Sequence, residues 1–159
     1  MIFVTLGTQK FQLNRLLEEL DNCIENKVIK EEVYAQIGNS TYQPKYFESE
    51  KFMDKDVFDE YISKASLIIT HSGVGSIITS LKKEKPVIVY PRLAKYNEHV
   101  DDHQLDIARA FEKKNFVICC YEEDNLETII SRSKGFKYKK YISQTDKMVN
   151  IISEYIKKV

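Results

Sequence analysis

The sequence predicts an α/β protein in which helices cover both faces of a parallel sheet. Short apolar runs typical of strands alternate along the chain with segments whose apolar residues recur at helical spacing. Glycine or small polar residues follow several of the strand-like runs directly, as expected where a strand turns into a helix. The chain has 159 residues and 43% hydrophobic content, which suits one packed core. We therefore expect a single domain over residues 1–159 with a Rossmann-like sheet.

The first half of the chain begins this alternation. Apolar runs predict strands at Ile2 to Leu6, Val33 to Ile37 and Leu67 to Thr70. Apolar residues three or four positions apart predict a helix from about Leu13 to Ile24, and a short helix is expected from about Asp56 to Lys64. Residues 40–51 are polar and without periodicity, so we expect irregular structure there.

The second half continues the pattern. Strands are predicted at Pro86 to Tyr90 and Phe116 to Tyr121, and helices at Ile77 to Lys83, Asp102 to Lys114 and Leu126 to Ser133. A last amphipathic helix is marked by Met148, Ile151, Ile152, Tyr155 and Ile156. Ligands of such proteins bind beyond the carboxyl ends of the parallel strands, where this chain carries its glycines and small polar residues.

The most informative segment runs from Thr70 to Ser76, with the sequence Thr-His-Ser-Gly-Val-Gly-Ser. It joins a strand to a helix, and its two glycines let the backbone approach a ligand closely. The free N–H groups and the positive dipole end of that helix make an anion site, for which a phosphate is the expected guest. Ser76 adds a hydroxyl donor and His71 a switchable one. The alternative is a tight turn with Ser72 as N-cap and no ligand.

A second polar segment, residues 91–104, follows the next strand and would face the same phosphate loop. His103 and Gln104, at the predicted start of a helix, carry donors and acceptors suited to sugar hydroxyls. Glu98 and His99 lie in the same loop. The alternative is that an aspartate before His103 only caps the helix, while Glu98 and His99 form a solvent-exposed pair.

Composition narrows the classes of protein. The 24 basic and 24 acidic residues cancel, so no net charge favours nucleic acid as a partner, and any anion must be recognised locally. The apolar runs are far shorter than the ~20 residues that span a bilayer, and the chain enters a strand at once, so we expect a cytoplasmic protein. Cys23, Cys119 and Cys120 lack metal-ligand spacing and are expected to be buried thiols, the last two on opposite faces of a strand.

Lysines and aromatic residues alternate over residues 134–141. A solvated loop is typical of such a charged run. The alternative is contact with an anionic membrane surface or a partner, because lysines are attracted to anionic lipid and aromatic side chains favour the interface.

A metal site is not favoured by the acidic residues. Asp54 and Asp56 have the Asp-x-Asp spacing with which one class of sugar transferases holds a divalent cation. Here the pair directly precedes a helix, where aspartates cap the end and complement the dipole, so capping is the preferred interpretation. The three histidines lack a complementary ligand on any one element. We expect no metal and no cofactor.

Four ordered motifs carry a family resemblance: residues 2–8, 71–78, 85–89 and 98–104. They resemble the carboxy-terminal, nucleotide-sugar-binding domain of GT-B glycosyltransferases. The chain is most similar to the small subunit of split transferases. These are the PssE-type proteins of bacterial exopolysaccharide and capsule synthesis, and the cytosolic catalytic half of the eukaryotic UDP-GlcNAc transferase of the dolichol pathway. The resemblance covers the chain to about residue 130.

The resemblance implies roles for individual residues. It places the diphosphate of a UDP-sugar on the loop and helix end formed by Ser72, Gly73, Val74, Gly75 and Ser76, with Gly7 and Thr8 nearby. It places the uracil against the backbone around Phe52 and Met53, and the donor sugar against His103 and Gln104. Larger relatives often bind the ribose with a Glu on the helix after the glycines, and this chain has Thr79 there.

The resemblance also implies half an active site. An inverting transferase must stabilise the departing nucleoside diphosphate, for which this chain offers the helix end with Ser76 and His71. It must also activate the acceptor hydroxyl with a base, and no such base is evident. In two-domain relatives the base and the acceptor site come mainly from the other domain. We therefore expect a membrane-anchored acceptor-binding partner subunit, a lipid-linked glycan acceptor, and a location at the cytoplasmic face of the membrane through that partner.

Two other functions remain open at the level of sequence. A sugar-nucleotide-binding regulatory protein without catalytic activity would have the same donor site. A metal-dependent transferase would instead use Asp54 and Asp56.

Overall fold

A computed structural model describes residues 1–144, which contain a six-stranded sheet with every neighbouring pair parallel. The strands are β1 (Ile2–Thr5), β2 (Val33–Gln36), β3 (Glu48–Glu50), β4 (Leu67–Thr70), β5 (Val87–Val89) and β6 (Ile118–Cys119). The last amphipathic helix expected from the sequence lies outside the described residues.

The strand order is β3-β2-β1-β4-β5-β6. The chain builds outward from β1 to β3, then returns to the other side of β1 with β4 and builds outward again. Thr5 at the end of β1 pairs with Gln36 of β2 on one side and Thr70 of β4 on the other. This order confirms the Rossmann-like prediction, and its reversal between β1 and β4 opens a crevice beyond the carboxyl ends of those two strands.

Five helices are described: α1 (Asn14–Glu25), α2 (Lys55–Lys64), α3 (Val74–Lys82), α4 (His103–Glu112) and α5 (Leu126–Ser133). A turn of 3₁₀ helix lies at Ala94–Tyr96. Buried residues of α1 and α5 form one apolar core with the sheet, and buried residues of α2, α3 and α4 form a second core on the opposite face. The sheet is therefore covered on both sides, as the alternating sequence pattern predicts.

Side chains of the strands alternate between these two cores. Ile2 and Val4 of β1 enter the α1/α5 core, while Phe3 enters the other and stacks on Tyr61 of α2 with ring centroids 5.3 Å apart. The same alternation separates Cys119 from Cys120, and both are buried free thiols. The prediction for these two cysteines is confirmed.

The expectation of irregular structure over residues 40–51 is wrong at its end. Glu48–Glu50 form the edge strand β3, paired with β2. An edge strand can be held by backbone pairing with its neighbour and does not need apolar side chains. This is why the sequence of β3 has no strand-like pattern. Its effect is to place residues 51–55 beside the crevice, since Ile37 and Gly38 donate backbone hydrogen bonds to Glu50 and Lys51.

The lysine-rich segment 134–141 is only partly a solvated loop. Its lysines are exposed, and Lys140 pairs with Glu84. Its aromatic side chains instead pack on the fold, with Phe136 and Tyr138 against the α1/α5 core and Tyr141 edge-on to Phe116 at 5.5 Å. Within residues 1–144 no helix has the length and apolar character needed to cross a membrane.

Candidate functional site

A cleft of about 370 Å³ lies in the crevice where the strand order reverses. Its walls come from the end of β1, the start of α3 and the segment that joins β3 to α2. Its lining residues are Thr5, Gly7, Thr8, Gln36, Met53, Lys55, Phe58, Gly75, Ser76 and Thr79. Six of these were predicted as ligand-binding residues from the sequence: Gly7, Thr8, Met53, Gly75, Ser76 and Thr79.

Helix α3 begins at Val74, three residues earlier than predicted, so Gly75 and Ser76 belong to its first turn. The prediction placed Gly75 in the turn before the helix, but a single glycine costs only about 1 kcal/mol in a helix and does not prevent it from starting earlier. Gly73 is the N-cap residue, and no side chain caps this end. The N–H groups of the first turn are therefore left without intrahelical partners, at the end of α3 where Gly75 and Ser76 line the cleft.

The three glycines of the site have different surroundings. Gly7 has φ +73°, and a Cβ placed there would lie 2.7 Å from His71 Nε2. A Cβ at Gly73 would lie 2.2 Å from His71 Cε1, so the His71 ring packs directly on both glycines. Gly75 is different, because a Cβ there would meet no atom within 4 Å. Its missing side chain leaves space open in the cleft.

Gln36 ties two walls of the cleft together. Its Oε1 accepts hydrogen bonds from Thr5 Oγ1 at 2.9 Å and from the Gly7 N–H at 3.1 Å. Its Nε2 donates to the carbonyls of Gly7 at 2.9 Å and Lys51 at 2.8 Å. All hydrogen-bonding positions of this buried amide are used. The amide therefore fixes the loop between β1 and α1, residues 6–13 and called the first loop, relative to the segment after β3.

His71 lies buried behind the glycines and contacts two side chains through Nδ1. Gln104 Nε2 is 3.2 Å from that atom and Arg92 Nη1 is 3.3 Å from it. Burial lowers the pKa of His71 to about 3, and the charge of Arg92 adds to the effect. The imidazole is therefore neutral around pH 7 and acts as a fixed hydrogen-bonding group there rather than as a switchable one.

Arg92 is a buried cation held mainly by backbone carbonyls. Its Nη2 donates to the carbonyls of Leu6 at 2.8 Å and Phe11 at 3.1 Å. Burial lowers its pKa to about 10, so it remains charged near neutral pH. It forms no ion pair with any carboxylate in residues 1–144. A positive charge thus stands behind the first loop without a carboxylate in contact.

The four predicted residues of the 98–104 segment have different environments. Glu98 is buried, pairs with Arg15 at 2.9 Å and accepts a hydrogen bond from the Leu93 N–H. Gln104 is also buried. His99 is half-buried and its ring lies 4.6 Å from that of Phe11. His103 is exposed, with 79% of its side chain accessible. Glu98 and Gln104 thus make their contacts inside the protein, and the exposed His103 has Asp106 3.8 Å from its ring nitrogen. None of the four residues is among those that line the cleft.

Phe52, Ser72, Gly73 and Val74 were also predicted from the sequence but are not among the residues that line this cleft. Met53 also lines a second depression of about 390 Å³ with Glu50, Phe52, Asp54 and Val57, so the two depressions adjoin. Phe52 is 49% exposed. Val74 is exposed at the start of α3. Ser72 is fully buried; its N–H donates to Gln104 Oε1 at 3.2 Å, and its hydroxyl has no partner among the described residues.

The aspartates before α2 occupy the predicted capping positions. Asp54 is the N-cap residue and Asp56 lies in the first turn, although the Asp54 side chain makes no capping hydrogen bond. Over residues 1–144 there is no cluster of three or more His, Cys, Asp or Glu side chains arranged to hold a metal ion.

Sequence reasoning missed several residues of the site. Gln36 and Thr5 are polar residues at the ends of apolar strands, which was the available signal for them. Lys55 was considered only as the residue between two aspartates, yet it lines the cleft. Arg92 follows strand β5 after Tyr90 and Pro91, and no neighbouring residue in the sequence indicates that its side chain is buried under the loop after β1.

Comparison with known proteins gives a consistent result. The model of the glycosyltransferase family 28 C-terminal domain matches residues 1–158. The human UDP-N-acetylglucosamine transferase subunit ALG13 is 33% identical over 132 residues, which is 75% of this chain and 11% of the human protein. The Candida albicans subunit of the same name is 35% identical over 92 residues, covering 58% of this chain and 30% of that protein. This chain thus spans a minor part of these relatives' length.

Solved structures agree on the fold. The NMR solution structure of ALG13 has a TM-score of 0.51 at 19% identity, with 87% of this chain and 86% of that chain covered. A kitacinnamycin glycosyltransferase has a TM-score of 0.59 at 16% identity, and 84% of this chain covers 34% of it. At these identities the likeness concerns the GT-B fold.

Proposed function

Because this chain belongs to glycosyltransferase family 28, we propose that it is the donor-binding subunit of a two-component inverting glycosyltransferase. In this proposal it binds a UDP-sugar and works with a membrane-anchored, acceptor-binding subunit at the cytoplasmic face of the membrane. The acceptor is a lipid-linked glycan of exopolysaccharide or capsule synthesis. Relatives named as subunits of a UDP-N-acetylglucosamine transferase support both the donor class and the need for a partner.

One observation carries the donor assignment: a single cleft joins the uncapped N-terminus of α3, the first loop and Met53. In the proposed complex the diphosphate lies on the first turn of α3, where N–H groups and the helix dipole meet its charge. Ser76 adds a hydroxyl donor and Lys55 a cation at the opposite wall. The depression beside Phe52 and Met53 receives the uracil, and the exposed His103 faces the sugar.

This arrangement supplies one of the two tasks of the reaction. Donors aimed at the diphosphate stabilise the leaving group as negative charge develops on it. Among the residues that line this cleft there is no carboxylate and no imidazole. We assign the base that activates the acceptor hydroxyl to the partner subunit, and neither metal nor cofactor has a part in the proposal.

Gly75 offers a sharp test of the donor site. A leucine there has room for its Cβ and keeps a helical backbone, so the variant should fold, yet its side chain would occupy the phosphate path. Gly135 is the matched control, because a Cβ there also meets no atom within 4 Å and the residue lies outside the cleft. Titration calorimetry with UDP should show the Kd of Gly75→Leu raised at least about tenfold, or about 1.4 kcal/mol. Equal Kd values for wild type, Gly75→Leu and Gly135→Leu would reject the assignment.

The catalytic part of the proposal is tested by reconstitution. The chain is expressed with its membrane subunit, and transfer from a panel of UDP-sugars to membrane lipid is measured with and without a chelator. Transfer should require both subunits and persist in chelator. UDP binding without transfer from any common UDP-sugar would favour the alternative, a regulatory protein that senses the sugar nucleotide. Loss of donor binding in chelator would favour a metal site at Asp54 and Asp56.

A further inference from the structure

The side-chain amide of Gln104 has a fixed orientation. Its oxygen accepts hydrogen bonds from two backbone N–H groups, those of Ser72 at 3.2 Å and Arg92 at 3.1 Å. Reversing the amide would direct its NH₂ group at these two N–H groups. Both backbone donors and the NH₂ group would then be buried without an acceptor. The nitrogen of Gln104 therefore faces His71 Nδ1, 3.2 Å away, and it can only donate.

The orientation of Gln104 determines the tautomer of His71. Arg92 Nη1, also only a donor, is 3.3 Å from the same Nδ1 atom. With two donors directed at it, Nδ1 must present its lone pair, and the single proton of the neutral ring must lie on Nε2. Nε2 is the ring atom nearest Gly7, where a Cβ would lie 2.7 Å from it. At Gly73 a Cβ would lie 2.2 Å from Cε1 and 2.8 Å from Nε2, so the Cε1–Nε2 edge of the ring faces both glycines.

The buried charge of Arg92 favours the binding of an anion near His71. It is one of the largest fully buried side chains, it is charged near neutral pH, and within residues 1–144 it has no carboxylate partner. Glu98, the buried carboxylate whose charge it feels, is paired with Arg15. A buried charge held by carbonyl dipoles is costly, and an anion bound nearby lowers that cost.

We propose that Gln104 and Arg92 are positioning residues that hold His71 as an Nε2–H donor for the anionic group bound between the first loop and the start of α3. Arg92 polarises the imidazole from behind and supplies positive charge to the same group. Gln104 thereby acts on the bound anion through His71. The identity of the anion as a nucleoside diphosphate rests on the proposed function, whereas the tautomer does not.

The tautomer can be read directly by NMR. Long-range ¹H–¹⁵N correlation spectra of protein labelled at histidine nitrogens distinguish Nδ1–H from Nε2–H, and the exposed His103 supplies an internal comparison. We expect His71 to be the Nε2–H form throughout pH 5 to 8. Its ring faces Gln104 from α4, Arg92 after β5 and, at longer range, His99. An Nδ1–H form, or a His71 that becomes doubly protonated within this range, would overturn the proposal without any variant.

Gln104→Glu provides the second arm. A carboxylate keeps the hydrogen bonds from Ser72 and Arg92 but accepts from His71, so the ring proton should move to Nδ1 or the ring should become doubly protonated. The UDP Kd should rise at least tenfold. Gln144→Glu, with the same charge change at an exposed position, should alter neither measurement. An unchanged His71 spectrum in Gln104→Glu would refute the positioning role. If the spectra behave as expected while wild type binds no UDP, the proposed function fails and the positioning does not.

Discussion

In the proposed complex Lys55 and Arg92 are cations on opposite sides of the bound diphosphate. Their surroundings differ, so we expect them to have different roles. Lys55 is exposed at the first residue of α2 and forms no ion pair in the described part of the chain. Arg92 is buried and held by the carbonyls of the first loop. The exposed side chain of Lys55 can change its conformation when a ligand enters the cleft. The buried side chain of Arg92 is held in place by its hydrogen bonds.

Lys55→Gln should weaken UDP binding without affecting the fold. The amine is solvated, so its attraction for the diphosphate is expected to contribute only about 1 kcal/mol, or roughly a fivefold change in Kd. The effect should shrink as salt is raised, because solvent-exposed charges are screened. Calorimetry at low and high salt measures both.

Lys113→Gln is the control for Lys55. Lys113 is an exposed lysine at the end of α4, outside the lining of the cleft. A Lys55→Gln variant that binds UDP as Lys113→Gln does, at low salt, would show that Lys55 stays in solvent when the ligand is bound.

At the scale of elements, the segment between β2 and β3 depends on one side chain. Asp21 of α1 is buried and accepts hydrogen bonds from Tyr42 Oη and the Lys45 N–H, each at 2.8 Å, and from the Tyr46 N–H at 3.1 Å. These bonds hold an otherwise irregular chain in the path that leads into β3. Because β3 places Met53 and Lys55 at the cleft, Asp21 supports the site from the far side of the segment.

Asp21→Ala should therefore destabilise the protein by about 3 kcal/mol, since it leaves two backbone donors and a hydroxyl without their acceptor. Urea unfolding measures this change. Asp106→Ala, at a 73% exposed position with only weak ion pairs, should stay within about 0.5 kcal/mol of wild type. Equal destabilisation by the two variants would contradict the role given to Asp21.

The same elements explain what the sequence could predict. Strands β1, β4 and β5 are buried apolar runs, so their sequences identify them, and their alternation with helices predicts that they pair in parallel. Edge strand β3 was not predicted because its residues are polar, none of them is fully buried, and its pairing with β2 uses backbone groups. The packing of the aromatic residues in segment 134–141 was not predicted because it involves residues far away in the sequence, as in the contact of Tyr141 with Phe116. Of the six predicted cleft residues, Gly75 and Ser76 came from the chemistry of the glycine-rich turn, and Gly7, Thr8, Met53 and Thr79 came from the family resemblance. Gln36 and Arg92 act through contacts that only the folded chain creates.

For the whole molecule, the sheet order decides where function can lie. The reversal between β1 and β4 brings residues 5–8, 51–55 and 71–79 together from three separate parts of the chain. The buried polar groups of the molecule concentrate at this end of the sheet, including Thr5, Gln36, Thr70, His71 and Gln104. Polar groups buried near a crevice must be satisfied by each other, which makes this end of the protein sensitive to protonation.

Stability should therefore fall as pH decreases from 7 to 5, chiefly through His71. Its pKa is lowered to about 3 in the folded protein, while the unfolded chain has an ordinary histidine near 6.5. Between these values the unfolded state binds the extra proton, so the free energy of unfolding rises with pH. Integration from pH 5 to 7 gives a loss of about 2 kcal/mol on acidification. Carboxylates whose pKa is lowered, such as Glu31 and Glu122, titrate below this window.

Urea unfolding at several pH values tests this. In His71→Gln the decrease in the free energy of unfolding between pH 7 and pH 5 should be smaller by about 2 kcal/mol than in wild type, because glutamine does not titrate. This difference does not depend on the absolute stability of the variant. His103→Gln should keep the wild-type slope, since that side chain is exposed in the folded protein as it is in the unfolded chain. Parallel pH profiles for wild type and His71→Gln would mean that His71 takes up its proton equally in both states. The buried, two-donor environment of its Nδ1 would then be excluded as a description of the folded molecule.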